Sequence, residues 1–251
     1  ERYLMRHIED LARTASSRGI ARYSGFLSDR EQQLAQAALN RTDMPEDEIR
    51  FDGGWPGAER KLLCLEPVDS YPASPLCCVR LQCRALPGAQ LPVHKDYLGS
   101  LMGLELRREA LGDIVLPEDQ LGVAYVFALE PAAELICQEL RQAGHTDLTA
   151  EMQPLETLPA FPQAERPRQT ATVSSLRLDA VLAAMLRCSR GMAAELVTAG
   201  RVEINHLPAE SVHAPVYEDD VFTVRGKGRF QLTALPGKSK KDRLIIEYFQ
   251  Y

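Results

Sequence analysis

Apolar residues recur at helical spacing in two short stretches near the start of the chain. The first is Leu4, Ile8, Leu11 and Ala12, and the second is Leu34, Ala35, Ala38 and Leu39. This is the i, i+3, i+4 signature of one buried helix face. Ser28 is placed to cap the second stretch, and Glu31 three residues on completes a capping box. Few large apolar residues accompany them, so residues 1–50 are expected to form a small helical region that leans on its neighbour.

Beyond Asp52 the pattern changes. Two glycines and Trp55-Pro56-Gly57 specify an irregular turn. Strands are expected at Lys61–Leu65, 76–84, Ile114–Leu116, Val123–Leu129 and Asp147–Met152. Tyr97, Leu98, Leu101 and Met102 mark one helix. Ala132–Ala143 forms another, with Leu135, Ile136 and Leu140 on one face and Gly144 as its stop. The order β-β-α-β-β-α-β over residues 51–153 predicts an α+β sandwich with both helices on one face of an antiparallel sheet. A ferredoxin-like or RRM-like unit with one extra strand fits. Val123, Tyr125 and Phe127 share one strand face. The aromatics of an RRM sheet stack bases, but three such residues in a row favour packing into the core.

Pro154, Pro159, Pro162 and Pro167 in polar company make residues 154–171 the expected linker. Residues 172–251 open with a helix, Leu176–Leu186, whose Leu178, Val181, Leu182, Met185 and Leu186 follow i, i+3, i+4, i+7, i+8. Ser189 is a candidate N-cap for a second helix, Arg190–Ala199, ended by Gly200. Strands then alternate at Val202 and Ile204, at Val221–Val224 and at Arg229–Leu232. Asp219-Asp220 and Gly226-Lys227-Gly228 form the turns. The expectation is two helices followed by a small sheet.

The 251 residues carry a net charge of −6, which by itself argues against a nucleic-acid partner. The distribution changes this picture. Val173–Tyr251 holds 11 Lys and Arg against 9 Asp and Glu, while the rest of the chain holds 18 against 26. Salt confines an exposed charge's field to about 8–10 Å, so a local basic face can bind phosphate on an acidic whole. Arg177, Arg190 and Arg201 stand at helix starts and just past a helix end. There the arginine fork and the helix N-terminus both favour phosphate. Ser189 and Asn205 accompany them. Lys227 and Arg229 flank a hairpin glycine, and Lys238, Lys240, Lys241 and Arg243 form the densest basic run. His94, Lys95, Arg107 and Arg108 make a possible second RNA face, or simply solvate a helix and the turn after it.

No catalytic centre stands out. The six cysteines form no C-x-x-C pair and read as small buried apolar residues in a reducing cytoplasm. The histidines at 7, 94, 145, 206 and 213 lack metal-ligand spacing. There is no P-loop and no nucleophile elbow, so no metal, cofactor or catalytic residue is expected. No apolar run approaches the roughly 20 residues that a membrane span requires.

Arg177-Leu178-Asp179, Ser189-Arg190, Ala194, Gly200-x-Val202-x-Ile204-Asn205 and Asp220-x-Phe222 together resemble the S4 RNA-binding domain. Two further blocks are similar to the YlmH family. One is Gly53-Gly54-x-x-Gly57-Ala58-Glu59-Arg60-Lys61. The other is His94–Leu104 with Arg107-Arg108 and Gly112-Asp113-Ile114. The tail Lys238–Arg243 matches as well. The resemblance implies a helical N-terminal part (1–50), an RRM-like middle (51–153) and, after the linker, an S4 domain with a basic tail (172–251). It implies a non-enzymatic, cytoplasmic, ribosome-associated protein of bacteria that binds structured RNA. The partner would be large-subunit rRNA, tRNA or both, with no DNA, and the role would be rescue or quality control. Two departures stand out. His206 replaces the family's usual glycine. Gly191-Met192 replaces its Ser-Lys or Ser-Gln, which removes one basic contact and shifts binding toward the tail or the middle domain.

Two other classes compete. The Arg177-Leu178-Asp179 triplet superficially matches S4-bearing pseudouridine synthases, but Asp179 falls in the first turn of an amphipathic helix, where an acid suits the dipole. A methyltransferase needs a Gly-rich loop after a strand in a βαβ unit, and Gly53-Gly54 has no such setting. A protein-interaction scaffold would use the acidic N-terminal two-thirds.

Overall fold

A computed structural model describes residues 1–84, 90–161, 167–239 and 242–251. The chain divides into two compact units, Glu1–Gln163 and Ala164–Tyr251.

The first unit begins with α1 (Arg2–Arg18), β1 (Arg22–Leu27) and α2 (Asp29–Leu39). The Ser28 backbone N–H donates to Glu31 Oε2 at 2.8 Å, as the capping box requires. Then come β2 (Ile49–Asp52), β3 (Lys61–Leu65), β4 (Leu76–Cys83), α3 (His94–Met102), β5 (Leu111–Val115) and β6 (Val123–Leu129). The unit continues with α4 (Glu130–Glu139), β7 (Gln142–Ala143) and β8 (Thr146–Gln153).

The two helices expected in residues 1–50 form, and two strands that the apolar pattern did not predict form with them. Strands β1, β3 and β2 make an antiparallel sheet in that order. Lys61–Leu65 is therefore not the extra strand of the middle sheet but the centre of the N-terminal one. The boundary expected at 50/51 falls within β2. The signal for β3 was its uninterrupted apolar run. Leu62 to Leu65 are all buried, which requires cover on both faces.

The second sheet has the order β5-β6-β4-β8-β7, antiparallel throughout. With α3 after β4 and α4 after β6, this is the split βαββαβ arrangement of ferredoxin-like folds. Tyr97, Leu101, Ala133 and Ile136 pack from the helices onto Val79, Leu81, Ala124, Val126 and Ala128. The opposite face carries Leu76, Cys78, Tyr125 and Phe127, and it is covered by Phe26, Leu62 and Cys64 of the first sheet. On the far side of that first sheet, Leu27, Leu63 and Leu65 meet Ile8, Ala12 and Ala35 of α1 and α2. The unit is thus four layers deep: helices, sheet, sheet, helices.

Arg60 ties the two sheets together. Its guanidinium donates to the carbonyls of Phe26 (2.9 Å), Leu111 (3.0 Å) and Arg108 (3.1 Å). Burial, with Arg108 adding to it, pulls its pKa below the usual arginine range. At Gly112 a Cβ would come within 2.5 Å of the Phe26 ring, so only glycine lets the layers meet there.

Two expectations for this unit are corrected. The helix expected to run to Ala143 ends at Glu139, because Gly144 (φ 58°) turns the hairpin between β7 and β8 instead. Part of the expected linker is packed: Leu155, Leu158 and Phe161 lie against Tyr125 and Phe127. Their spacing of every third residue was the overlooked sign. Of the linker prolines, Pro162 lies outside the described residues.

The second unit comprises β9 (Gln169–Val173), α5 (Leu178–Met185), α6 (Arg190–Thr198), β10 (Val202–Ile204) and β11 (Leu207–Pro208). It ends with β12 (Val221–Val224), β13 (Gly228–Lys238) and β14 (Leu244–Gln250). Six antiparallel strands run β11-β10-β12-β13-β14-β9, a larger sheet than expected because β9 and β14 extend it. Leu178, Val181, Leu182, Ala193 and Val197 of the helices bury Phe222, Val224, Phe230, Leu232, Ile246 and Tyr248 on one sheet face. The chain is an α+β protein with the two-helix S4 arrangement at its C-terminal end.

Candidate nucleic-acid interface

Helix α5 has the sequence LDAVLAAM, and every residue except Ala184 is buried. A carboxylate in such a helix must find donors or lose its charge. Asp179 is 5% exposed, and it finds two arginines. Arg177, the N-cap of α5, donates from Nε to Oδ1 at 3.2 Å and from Nη2 to Oδ2 at 3.1 Å. Arg190, the first residue of α6, donates to Oδ2 from Nε at 3.2 Å and Nη2 at 2.6 Å. Burial alone would raise the Asp179 pKa. The hydrogen bonds from Arg190 and Arg177 outweigh it and hold the carboxyl below the ordinary aspartate value. His213 Nδ1 also meets Arg177 Nη2. Both arginine side chains remain about half open, at 40% and 50% exposure.

Ser189 caps α6, its Oγ accepting the Met192 backbone N–H at 3.1 Å. Its expected place beside Arg190 therefore has a structural purpose. Arg201 lies exposed past the other end of α6, about 15 Å along the helix from Arg190. Its side chain has no ion pair or hydrogen bond among the described residues. The Arg201 carbonyl accepts the Arg225 N–H at 2.9 Å, which brings the exposed Arg225 alongside. Exposed Lys227 occupies the following turn.

The remaining expected residues are more engaged. Asn205 uses both ends of its amide inside the fold: Nδ2 donates to Asp220 at 2.8 Å and Oδ1 accepts the Val221 N–H at 2.9 Å. Asn205 and His206 form the two-residue loop between β10 and β11, both with positive φ (49° and 65°). That loop type favours Asn then Gly. Arg229 lies over the Tyr251 ring at 4.4 Å. Lys238 pairs with Asp242 at 2.7 Å, and Arg243 donates to the Thr172 carbonyl at 2.9 Å. Lys240 and Lys241 lie outside the described residues.

In the first unit, His94 and Lys95 are exposed in the first turn of α3, while Arg107 and Arg108 follow its other end. Arg108 Nη1 donates to the Leu111 carbonyl at 3.0 Å. A cleft of about 420 Å³ beside α3 carries Lys95, Asp96, His145 and Thr146. The sheet face that stacks bases in an RRM is closed here. Tyr125 is 4% exposed, Phe127 is 0% exposed, and the Phe161 ring sits 5.0 Å from Tyr125.

In the sequence Asp179 stood out as part of the Arg177-Leu178-Asp179 block and as an acid suited to the helix dipole, not as the partner of two arginines. The sign passed over was a single charge on a helix that is apolar on every side. His213 had no local sign, standing 36 residues from Arg177.

The S4 domain model matches residues 176–222. A curated relative, ribosome-associated protein quality control protein P2 of Bacillus subtilis (strain 168), is 35% identical over 226 residues. The match covers 89% of this chain and 84% of that protein. A solved structure, cell division protein ylmH from Streptococcus pneumoniae, aligns with 63% of this chain and 94% of its own at 13% identity, with a TM-score of 0.48.

Proposed function

The chain belongs to the YlmH-type family of ribosome-associated protein quality control protein P2, and from that premise we propose that it is a non-enzymatic RNA-binding protein. It docks on structured RNA of the ribosome, either large-subunit rRNA or tRNA, in quality control of translation. One observation carries this reading. Within the matched S4 segment, exposed arginines stand at both ends of α6, Arg190 at its start and Arg201 past its end, and half-buried Arg177 at the start of α5 meets Arg190 through Asp179. The N-terminus of α6, where Arg190 stands, adds a favourable dipole for phosphate. Binding of this kind is electrostatic and shape-directed rather than sequence-directed. Lys227, Arg229, Lys238 and Arg243 supply further positive charge on the same unit. His94, Lys95, Arg107 and Arg108 are candidates for contacts made by the first unit.

The test is filter binding of the full chain to purified 50S subunits and to bulk tRNA across a salt series. Affinity is expected to fall steeply with salt. Arg190→Glu with Arg201→Glu should lower it by about tenfold or more. Unchanged affinity in that double variant would overturn the assignment of this face. Mass spectrometry of RNA from a deletion strain tests the non-enzymatic part, since a missing modified nucleoside would replace this reading with an enzymatic one.

A further inference from the structure

We propose that Asp179 is the positioning residue of this face, holding Arg177 and Arg190 as a single pre-formed phosphate clamp; the role rests on the RNA-binding reading above. Apolar packing gives no reason for a carboxylate at this point of α5, where the surrounding helix is buried. Among the described residues, its four side-chain hydrogen bonds all come from guanidinium groups, two from each arginine. Three of the four converge on one oxygen, Oδ2. Two side chains from different helices are thereby brought side by side.

Each guanidinium has five N–H donors. Both use the Nε and Nη2 edge on Asp179 and leave the Nη1 donors over. His213 adds a third restraint, since its Nδ1 meets Arg177 Nη2. For Arg177 to donate there, Nδ1 must be the unprotonated nitrogen.

Asp179 also works against binding, because its negative charge repels phosphate. The sign of its net effect follows from magnitudes. A phosphate held by the far ends of the two forks is roughly 6 Å from the carboxylate. In a water-like dielectric that repulsion weakens binding about threefold, and less once salt screens it. Immobilising a free arginine on binding costs about two- to tenfold in affinity, and two arginines are involved. Holding them in place beforehand removes more of a penalty than the repulsion adds. Asp179→Asn should therefore weaken RNA binding although it makes the face more positive.

The experiment measures bulk-tRNA affinity for four full-length forms: wild type, D179N, R177A/R190A and the triple variant. Circular dichroism melts of each monitor the fold. D179N is expected to bind about tenfold more weakly than wild type. In the R177A/R190A background the same change should cost nothing further, because a positioning residue acts only through the groups it positions. A general loss of structure would instead weaken binding in both backgrounds, and that outcome overturns the role. So does D179N binding as tightly as wild type or more tightly, which would make the carboxylate a simple electrostatic brake. If R177A/R190A itself left affinity unchanged, the RNA-binding reading of this face would fall and the positioning role with it. That result is distinct from one in which the arginines matter and Asp179 does not.

Discussion

The carboxylate of Asp113 accepts the indole N–H of Trp55 at 3.3 Å, although 58 residues separate them in sequence. The same carboxylate accepts the backbone N–H of Glu59 at 2.8 Å and of Arg60 at 3.1 Å. The glycine-rich loop 53–61 and the Gly112-Asp113-Ile114 block, read as separate similarities in the sequence, are thus one structural device. It closes the loop and aims Arg60 at the carbonyls that join the two sheets.

Replacing Asp113 with alanine should therefore loosen loop 53–61. Three donors lose a charged acceptor, and stability should drop by about 2–3 kcal/mol. Trp55 is the single tryptophan of the chain, so its emission reports the loop directly. A red shift in the folded state together with a lower melting temperature is expected. Emission and melting temperature equal to wild type would count against this role.

Gly54 should not tolerate alanine. Its φ is +86°, and a Cβ there would meet the Phe127 ring at 2.5 Å. A left-handed backbone and an overfilled contact together should cost about 2–4 kcal/mol, measured by urea unfolding of Gly54→Ala.

Phe127→Leu should separate packing from RNA binding. The ring is buried between the two sheets of the first unit, so the shorter side chain should lower stability by about 1–2 kcal/mol. Affinity of the folded protein for 50S subunits and tRNA should stay at the wild-type value. A specific loss of RNA affinity at a temperature where the variant remains folded would mean that bases reach this face after all.

Acid should weaken the second unit through Asp179. Its folded-state pKa lies below the ordinary aspartate value. A depressed carboxylate contributes stability that is present above the unfolded value of about 4 and is lost as pH falls through the folded value. Melts of wild type and Asp179→Asn from about pH 5 down to about pH 2 should converge on acidification, since asparagine has nothing to titrate. A stability gap that stays constant over this range would show that the ion pair contributes nothing.

Much of this was legible in the chain, and the illegible parts share a cause. Helices α5 and α6 announced themselves through apolar spacing, the Ser189 cap and Gly200, all of them local signals. The split βαββαβ order was readable because each element carries its own period. The pairing of β3 with β1 and β2 was not, because strand partners are chosen by burial of Leu62 to Leu65 between distant layers. Leu155, Leu158 and Phe161 were hidden by the prolines around them, whose turn signal is stronger than a three-residue apolar repeat. At the candidate site the arginines were visible from position and residue type. Their convergence on Asp179 depends on the angle between two helices, which no spacing in the sequence encodes.

The sealing of Phe127 beneath Phe26, Leu62 and Cys64 has a consequence in time as well as in space. A sheet buried on both faces cannot open strand by strand without first parting the layers above it. The backbone amides of β3, β4 and β6 should then exchange with solvent deuterium together, at the rate of a single cooperative opening. The N-terminal helices and the βαββαβ sheet would unfold as one body.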